Sequence, residues 1–255
     1  MLAGYHIRYA AHCHTGKVRP TNQDNLWVNG TYLQSQNEGL PALLSGKITQ
    51  TPALFAVFDG MGGETGGEIA AFLAAMKFNV LQRRATKTNL TQLLPTACHE
   101  MNEAINAYAA ANTIRRMGST AAIIAFGKKQ VQVCNLGDSK IFHHSGQSLA
   151  QISVDHVMHL PNTKNAPLTQ HLGIRREDFA LTPHLTHSAY HNRDKYLLCS
   201  DGLTDMVNPD EINEILNARA TLNTMADTLL KRALENGGRD NITLILCEIL
   251  KRSWF

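Results

Sequence analysis

Five aspartates in this 255-residue sequence share one local setting. Asp24 (in Thr21-Asn22-Gln23-Asp24-Asn25), Asp59 (Val57-Phe58-Asp59-Gly60), Asp138 (Leu136-Gly137-Asp138-Ser139), Asp201 (Cys199-Ser200-Asp201-Gly202) and Asp240 (Gly238-Arg239-Asp240-Asn241) each stand at the edge of an apolar run, beside a small or amide residue. Any one of them alone reads as an ordinary turn residue. As a set they ask for more, because a carboxylate at the end of a buried strand is costly unless it pairs with a cation or accepts several hydrogen bonds, and a cluster of them repels itself. Hard divalent cations, Mg²⁺ or Mn²⁺, are the natural counter-ions; no His or Cys stands at the matching positions, which argues against zinc. Glycine directly after Asp59 and after Asp201 leaves room for a backbone carbonyl to approach a metal. Two such ions, about 3.5 to 4 Å apart, would hold a bridging water, lower its pKa and supply hydroxide at neutral pH.

The elements that must position these groups follow from periodicity. Tyr5 to Tyr9 and Asn25 to Val28 read as strands around a turn containing Gly16 and Pro20, followed by a polar connection from Asn29 to Thr51. Leu54 to Phe58 is apolar on both faces, as in a central buried strand, and is expected to end at Asp59. Ile69, Phe72, Leu73, Met76 and Val80 form one helical stripe, and Leu94, Ala97, Met101, Ala104, Ile105 and Tyr108 a second. Thr120 to Phe126, Gln130 to Leu136 and Ser139 to His143 are closely spaced strands, expected to form an antiparallel meander. The segment from Asp155 to Leu168 reads as irregular surface chain. Tyr196 to Ser200 is a buried strand ending again at Asp-Gly. Asn208-Pro209-Asp210-Glu211 starts a helix over Ile212 to Leu216, and a longer helix through Leu222, Met225, Ala226, Leu229, Leu230 and Ala233 stops at Gly237-Gly238. Asn241 to Ile249 closes as a strand. This order does not alternate strand and helix; it favours an α+β fold with segregated layers in a single domain over 1–255.

Composition narrows the function classes. Lys and Arg number 24 against 21 Asp and Glu, a net charge of +3 that leaves no nucleic-acid footprint. No apolar stretch has transmembrane length, and His6 and Arg8 fall where a signal peptide would have its apolar core, so no membrane association and a cytoplasmic location are expected. The five cysteines are far apart, odd in number and without a Cys-x-x-Cys pair, which suggests free thiols buried mostly in strands. His12-Cys13-His14 lacks a second ligand pair and would alternate faces along a strand, so it reads as strand, not as a zinc site.

A set of motifs then appears in order: Arg19-x-x-Asn22-Gln23-Asp24-Asn25, Val57-Phe58-Asp59-Gly60-Met61-Gly62-Gly63 with Gly67-Glu68, Gly118-Ser119-Thr120, Gly137-Asp138-Ser139, Ser200-Asp201-Gly202-Leu203-x-Asp205 and Arg239-Asp240-Asn241-Ile242-Thr243. Each is weak alone, but the ordered set resembles the metal-dependent type 2C serine/threonine protein phosphatases, especially their bacterial members, from about Arg19 to Ile249. The resemblance implies a β-sandwich of two antiparallel sheets flanked by pairs of helices, with a site for two Mn²⁺ or Mg²⁺ ions at one edge. It implies that Asp59 bridges both metals, that the Gly60 carbonyl joins the shell of one, that Asp201 and Asp240 ligate the other, and that Asp24 contacts that shell directly or through water. Arg19 falls where the family has its phosphate-binding arginine, and Asp138, Asp201 and Asp205 fall where many bacterial relatives hold a third, weaker metal. The implied reaction is hydrolysis of phosphoserine and phosphothreonine in proteins, reversing a Ser/Thr kinase, by an enzyme expected to be monomeric.

Departures from the family pattern are also visible. Met61 replaces the histidine that some relatives, mainly eukaryotic, carry after the Asp-Gly pair, so a leaving-group proton must come from a metal-bound water or another group. Gln23 stands in place of a common acid, and Lys140 in place of an arginine read as structural. The flap segment around 156–168 looks short, with His156, His159 and His171 near it as surface histidines. A dinucleotide-binding turn is disfavoured because Thr65 occupies the third glycine position, and a P-loop because Gly67-Glu68-Ile69 lacks Gly-Lys-Ser/Thr. A silent phosphoprotein-binding relative would be expected to have lost at least one of the aspartates. A small phosphomonoester remains an alternative substrate.

Overall fold

A computed structural model describes residues 4–62, 66–85, 89–128, 130–158 and 166–251. Two antiparallel sheets stack face to face. The first is built from β1 (Tyr5–His14), β3 (Leu44–Ile48), β8 (Lys140–Ser145), β9 (Ser148–Gln151), β11 (Lys195–Cys199) and β12 (Ile242–Lys251), in the order β3-β1-β12-β11-β8-β9. The second runs β10-β7-β6-β4-β2, with β2 (Asp24–Val28), β4 (Ala53–Met61), β6 (Ala121–Phe126), β7 (Gln130–Leu136) and β10 (His184–Ala189); the two-residue β5 (Gly118–Ser119) pairs the end of β4. Between the sheets lies a core that includes Ile7, Leu26, Phe55, Val57, Ile124, Tyr196 and Ile245. This agrees with the α+β sandwich expected from the sequence.

Helices cover both outer faces. On the second sheet lie α1 (Gly67–Leu81) and α2 (Leu90–Ala111). On the first lie α3 (Asp201–Thr204), α4 (Pro209–Asn217) and α5 (Leu222–Glu235). The cap expected for α4 is present: Asn208 accepts the backbone N–H of Glu211. Thr221 caps α5 in the same way through the N–H of Thr224, satisfying a donor that has no partner within the helix.

The buried face of α1 is not the stripe of large residues expected. Ala70, Ala71, Ala74, Ala75 and Phe78 are fully buried, while Val80 is exposed and Ile69 and Leu73 pack at the margin. Small side chains let the helix axis approach the sheet closely, and the larger residues seal the edges. Phe78 fills the centre of this contact, edge-on to Trp27 (5.3 Å between centroids) and Phe58 (6.2 Å).

The meander is also corrected. β6 and β7 form a hairpin, but β8 leaves for the other sheet and pairs β11 and β9. β3 falls in the polar connection from Asn29 to Thr51, and β9 and β10 in stretches whose residues suggested no element. β4 continues through Asp59 to Met61, where it gains β5 as partner. The cysteines are free and buried: four lie in strands and Cys98 in α2. His12-Cys13-His14 is strand, with His12 turned outward to Asp227 of α5 (2.7 Å) and Cys13 in the inter-sheet core. Of the flap segment, 159–165 with His159, and likewise Gly63 and Thr65, lie outside the described residues. Its base is closed by the bridge of Val157 with Leu168 and by the N–H of Met158 donating to the Pro167 carbonyl (2.9 Å).

Candidate active site

The register of β2 on β4 sets Asp24 directly opposite Asp59. Opposed residues in an antiparallel pair project from the same face, and like charges there are destabilising. Two further aspartates arrive from the other sheet. Asp201 opens α3 straight after β11, and Asp240 stands just before β12, the neighbour of β11. Ser200 joins the sheets at this corner: its Oγ donates to Asp24 Oδ2 (2.8 Å) and accepts the backbone N–H of Thr243 (3.0 Å).

Main-chain bonds hold Asp59 in place. Its N–H donates to Thr120 Oγ1 (3.0 Å), its carbonyl accepts the Thr120 N–H (2.8 Å), and Thr120 Oγ1 meets Ser139 Oγ at 2.7 Å. The glycines that follow the two Asp-Gly aspartates are sterically required. A Cβ on Gly60 would lie 2.1 Å from the Gly67 carbonyl oxygen and 2.4 Å from that of Gln23, and one on Gly202 would lie 1.9 Å from that of Asn241. Gln23 Nε2 donates to Glu68 (3.2 Å), a contact the acid common in relatives would make repulsive.

The corner opens as a cleft of about 800 Å³ whose walls include Arg19, Asp59, Gly60, Asp138, Asp201 and Asp240, with Met61 and Leu168 also lining it. Asp24 lies beneath it, 2% exposed. Of the trio expected at a third metal, Asp138 and Asp201 face the cleft, whereas Asp205 is exposed at the C-terminal end of α3.

The carboxylates raise one another's pKa. Burial, first, pushes Asp24 up to about 7, with Asp240 adding to the effect and hydrogen bonds from Thr243 and Ser200 opposing it. Burial and then Asp24, Asp201, Asp138 and Asp240 hold Asp59 well above the usual carboxylate range. Asp201 is raised to about 7 by burial and then by Asp138, Asp205, Asp240 and Asp24. Among the described residues the basic side chain that pairs with this group is Arg19, whose Nη2 donates to Asp240 Oδ2 at 2.7 Å. Lys140, read as structural, pairs instead with Asp155.

Oxygen donors alone, mostly buried and short of positive charge, fit a hard divalent cation. Among the described residues no three His, Cys, Asp or Glu side chains already close around one point. Both oxygens of Asp240 are engaged, Oδ2 by Arg19 and Oδ1 by the Asn241 N–H (2.8 Å), and Asp24 Oδ2 by Ser200. The donor chemistry carries the argument for a metal, and a preformed cage does not. The structure thus brings Arg19, Asp24, Asp59, Gly60, Asp138, Asp201 and Asp240 together and leaves Asp205 at the rim. Ser200, Thr120 and Asn241, for which sequence patterns suggested no role, hold the others in place. Their one signal was position beside the motif aspartates or within a motif.

The protein phosphatase 2C family model matches residues 42–237. The chain is 29% identical to the serine/threonine phosphatase stp of Listeria monocytogenes, with 91% of this chain and 92% of the relative covered. The crystal structure of the Mycobacterium tuberculosis serine/threonine phosphatase PstP/Ppp superposes with a TM-score of 0.78 at 26% identity, covering 97% of this chain and 100% of that one. The catalytic domain of PstP in complex with two manganese ions gives the same TM-score of 0.78 and identity of 26% over the same shares, 97% and 100%. Two stacked antiparallel sheets are thus also the architecture of named bacterial phosphatases, and the chain belongs to the protein phosphatase 2C family of metal-dependent serine/threonine phosphatases.

Proposed function

We propose that Asp59, Asp201, Asp240 and the Gly60 carbonyl hold two Mn²⁺ or Mg²⁺ ions at this corner, that Asp24 supports them directly or through water, and that Arg19 grips the phosphate of a phosphoserine or phosphothreonine in a protein substrate. The observation that carries this reading is the convergence of four aspartates from both sheets on one cleft with a single arginine at its edge. When bound, the ions supply Lewis acidity and lower the pKa of a water that can then attack phosphorus. The chain's own part is positional and electrostatic. Asp240 orients the Arg19 guanidinium, whose planar fork can engage two phosphate oxygens and offset charge developing on them. Thr120 and Ser139 fix the main chain of Asp59. Met61 lines the cleft where a proton donor would stand in some relatives, and its thioether cannot donate one.

Asp138 and Asp201, with Asp205 at the rim, are the candidates for a weaker third ion. The reaction consumes what a Ser/Thr kinase produces, so the proposal includes such a kinase and its phosphorylated substrates as partners, with the enzyme acting as a cytoplasmic monomer. The test is Mn²⁺-dependent phosphate release from a phosphothreonine peptide, with Asp59→Asn and Asp240→Asn as controls. Activity in the wild type and its collapse in both variants is expected. An inactive wild type at saturating Mn²⁺, or variants that match it, would overturn the two-metal reading.

A further inference from the structure

Arg19 sits on a stretch without regular structure, between β1 and β2, and its side chain is about half exposed. A long, rotamer-rich side chain on such a segment would lose considerable conformational entropy on gripping a phosphate unless its backbone were already fixed. The fixing comes from one amide. Asn241 is 5% exposed, and its side chain makes hydrogen bonds with three backbone groups of the Arg19 segment. Nδ2 donates to the carbonyl of Thr15 (2.8 Å) and to that of Thr21 (2.9 Å), and Oδ1 accepts the N–H of Gln23 (2.8 Å).

Two bonds of this length from one NH₂ group hold their acceptors about 5 Å apart, given the amide's fixed geometry. The chain from Thr15 to Thr21 is therefore drawn shut at its neck, with Arg19 in the enclosed loop. A further bond, from the Lys17 N–H to the Gly238 carbonyl (2.7 Å), seats the loop on the residues just before Asp240. The Gln23 contact extends the same clamp to the start of β2, where the Gln23 carbonyl receives the Gly60 N–H (3.1 Å).

We propose that Asn241 is the positioning residue for phosphate recognition, pre-organising the Arg19 loop against Asp240. The inference rests on the phosphate-gripping role of Arg19 proposed above. Alanine at 241 leaves two carbonyls and one N–H without their side-chain partner. Aspartate keeps the acceptor for Gln23 but turns an oxygen toward the Thr15 and Thr21 carbonyls, opening the neck while adding a charge beside Asp240.

The experiment compares wild type, Arg19→Ala, Asn241→Ala, Asn241→Asp and the double variant Arg19→Ala/Asn241→Ala on a phosphothreonine peptide, with folding checked by circular dichroism. KM, kcat and the half-saturating Mn²⁺ concentration are measured for each. Asn241→Ala and Asn241→Asp are expected to raise KM about 5- to 10-fold with kcat changed less than about two-fold, Mn²⁺ half-saturation of Asn241→Ala to stay within about two-fold of wild type, and the double variant to match Arg19→Ala within about two-fold. Should Asn241→Ala not fold, Asn241→Asp carries the same comparison. Effects of the two sites that multiply, or a shift in Mn²⁺ half-saturation with KM unchanged, would overturn the positioning role while leaving that of Arg19 intact. An unchanged KM in Arg19→Ala itself would remove both.

Discussion

Asp24→Asn should stabilise this protein in EDTA while impairing its metal-dependent activity. The carboxyl of Asp24 is almost wholly buried, faces Asp59 across the β2–β4 ladder, and has its pKa raised from 3.8 to about 7. A carboxyl raised in the folded state binds more protons there than in the unfolded chain, so between pH 3.8 and about 7 stability falls as pH rises. Above that window the full cost is present. At 1.36 kcal/mol per unit the rise corresponds to an upper limit of about 4 kcal/mol, shared with the aspartates coupled to Asp24. The amide keeps an oxygen to accept from Ser200 and removes the charge. In EDTA at pH 8.5 the variant should therefore melt higher, by up to about 8 to 16 °C for a domain of this size, and at pH 5, where Asp24 is already largely neutral, the gain should shrink by more than half. Thermal melts followed by circular dichroism at both pH values, repeated with saturating Mn²⁺, test this; in Mn²⁺ the wild type should gain more than the variant. A variant no more stable than wild type in EDTA at pH 8.5, or a gain independent of pH, would refute the account of a corner strained by its own charge.

Arg19→Ala should raise KM for phosphate esters about ten-fold with a smaller effect on kcat, measured by steady-state phosphate release. Gly202→Ala places a Cβ 1.9 Å from the Asn241 carbonyl oxygen and should displace the Asp201 turn, abolishing Mn²⁺-dependent turnover; retained activity would show that the approach is not required. Phe78→Ala should cost about 3 to 5 kcal/mol in urea denaturation, because the ring fills the contact of α1 with Trp27 and Phe58.

Much of this arrangement was legible where local signals were strong. The cap at Asn208, the apolar stripe of α5 and its stop at Gly237 were readable because each is set by residues within a few positions. β3 was not, since Leu44–Ile48 is a mostly exposed edge strand with Ser45, Gly46 and Lys47 at its centre. β10 is the edge of the other sheet and equally polar. The buried face of α1 was misjudged because alanine carries little hydrophobic signal yet permits the closest packing. At the site, the aspartates stood out by type and context. Asn241 did not, because its work is done on Thr21, 220 residues away in sequence, and only the pairing of strands reveals that distance as 2.9 Å.

The pairing of β1 with β12 has a consequence for how the enzyme comes into being. These are the first and last strands among the described residues, and they lie side by side inside the first sheet, in register from Tyr5 with Lys251 to His14 with Ile242. A growing polypeptide cannot complete that sheet until β12 has left the ribosome. The second sheet, built from β2 to β10, can pair earlier, so synthesis passes through a half-sandwich with an exposed apolar face. Asp240 and Asn241 arrive only with that last strand. A nascent chain that still lacks β12 therefore lacks Asp240 and with it a complete acidic corner.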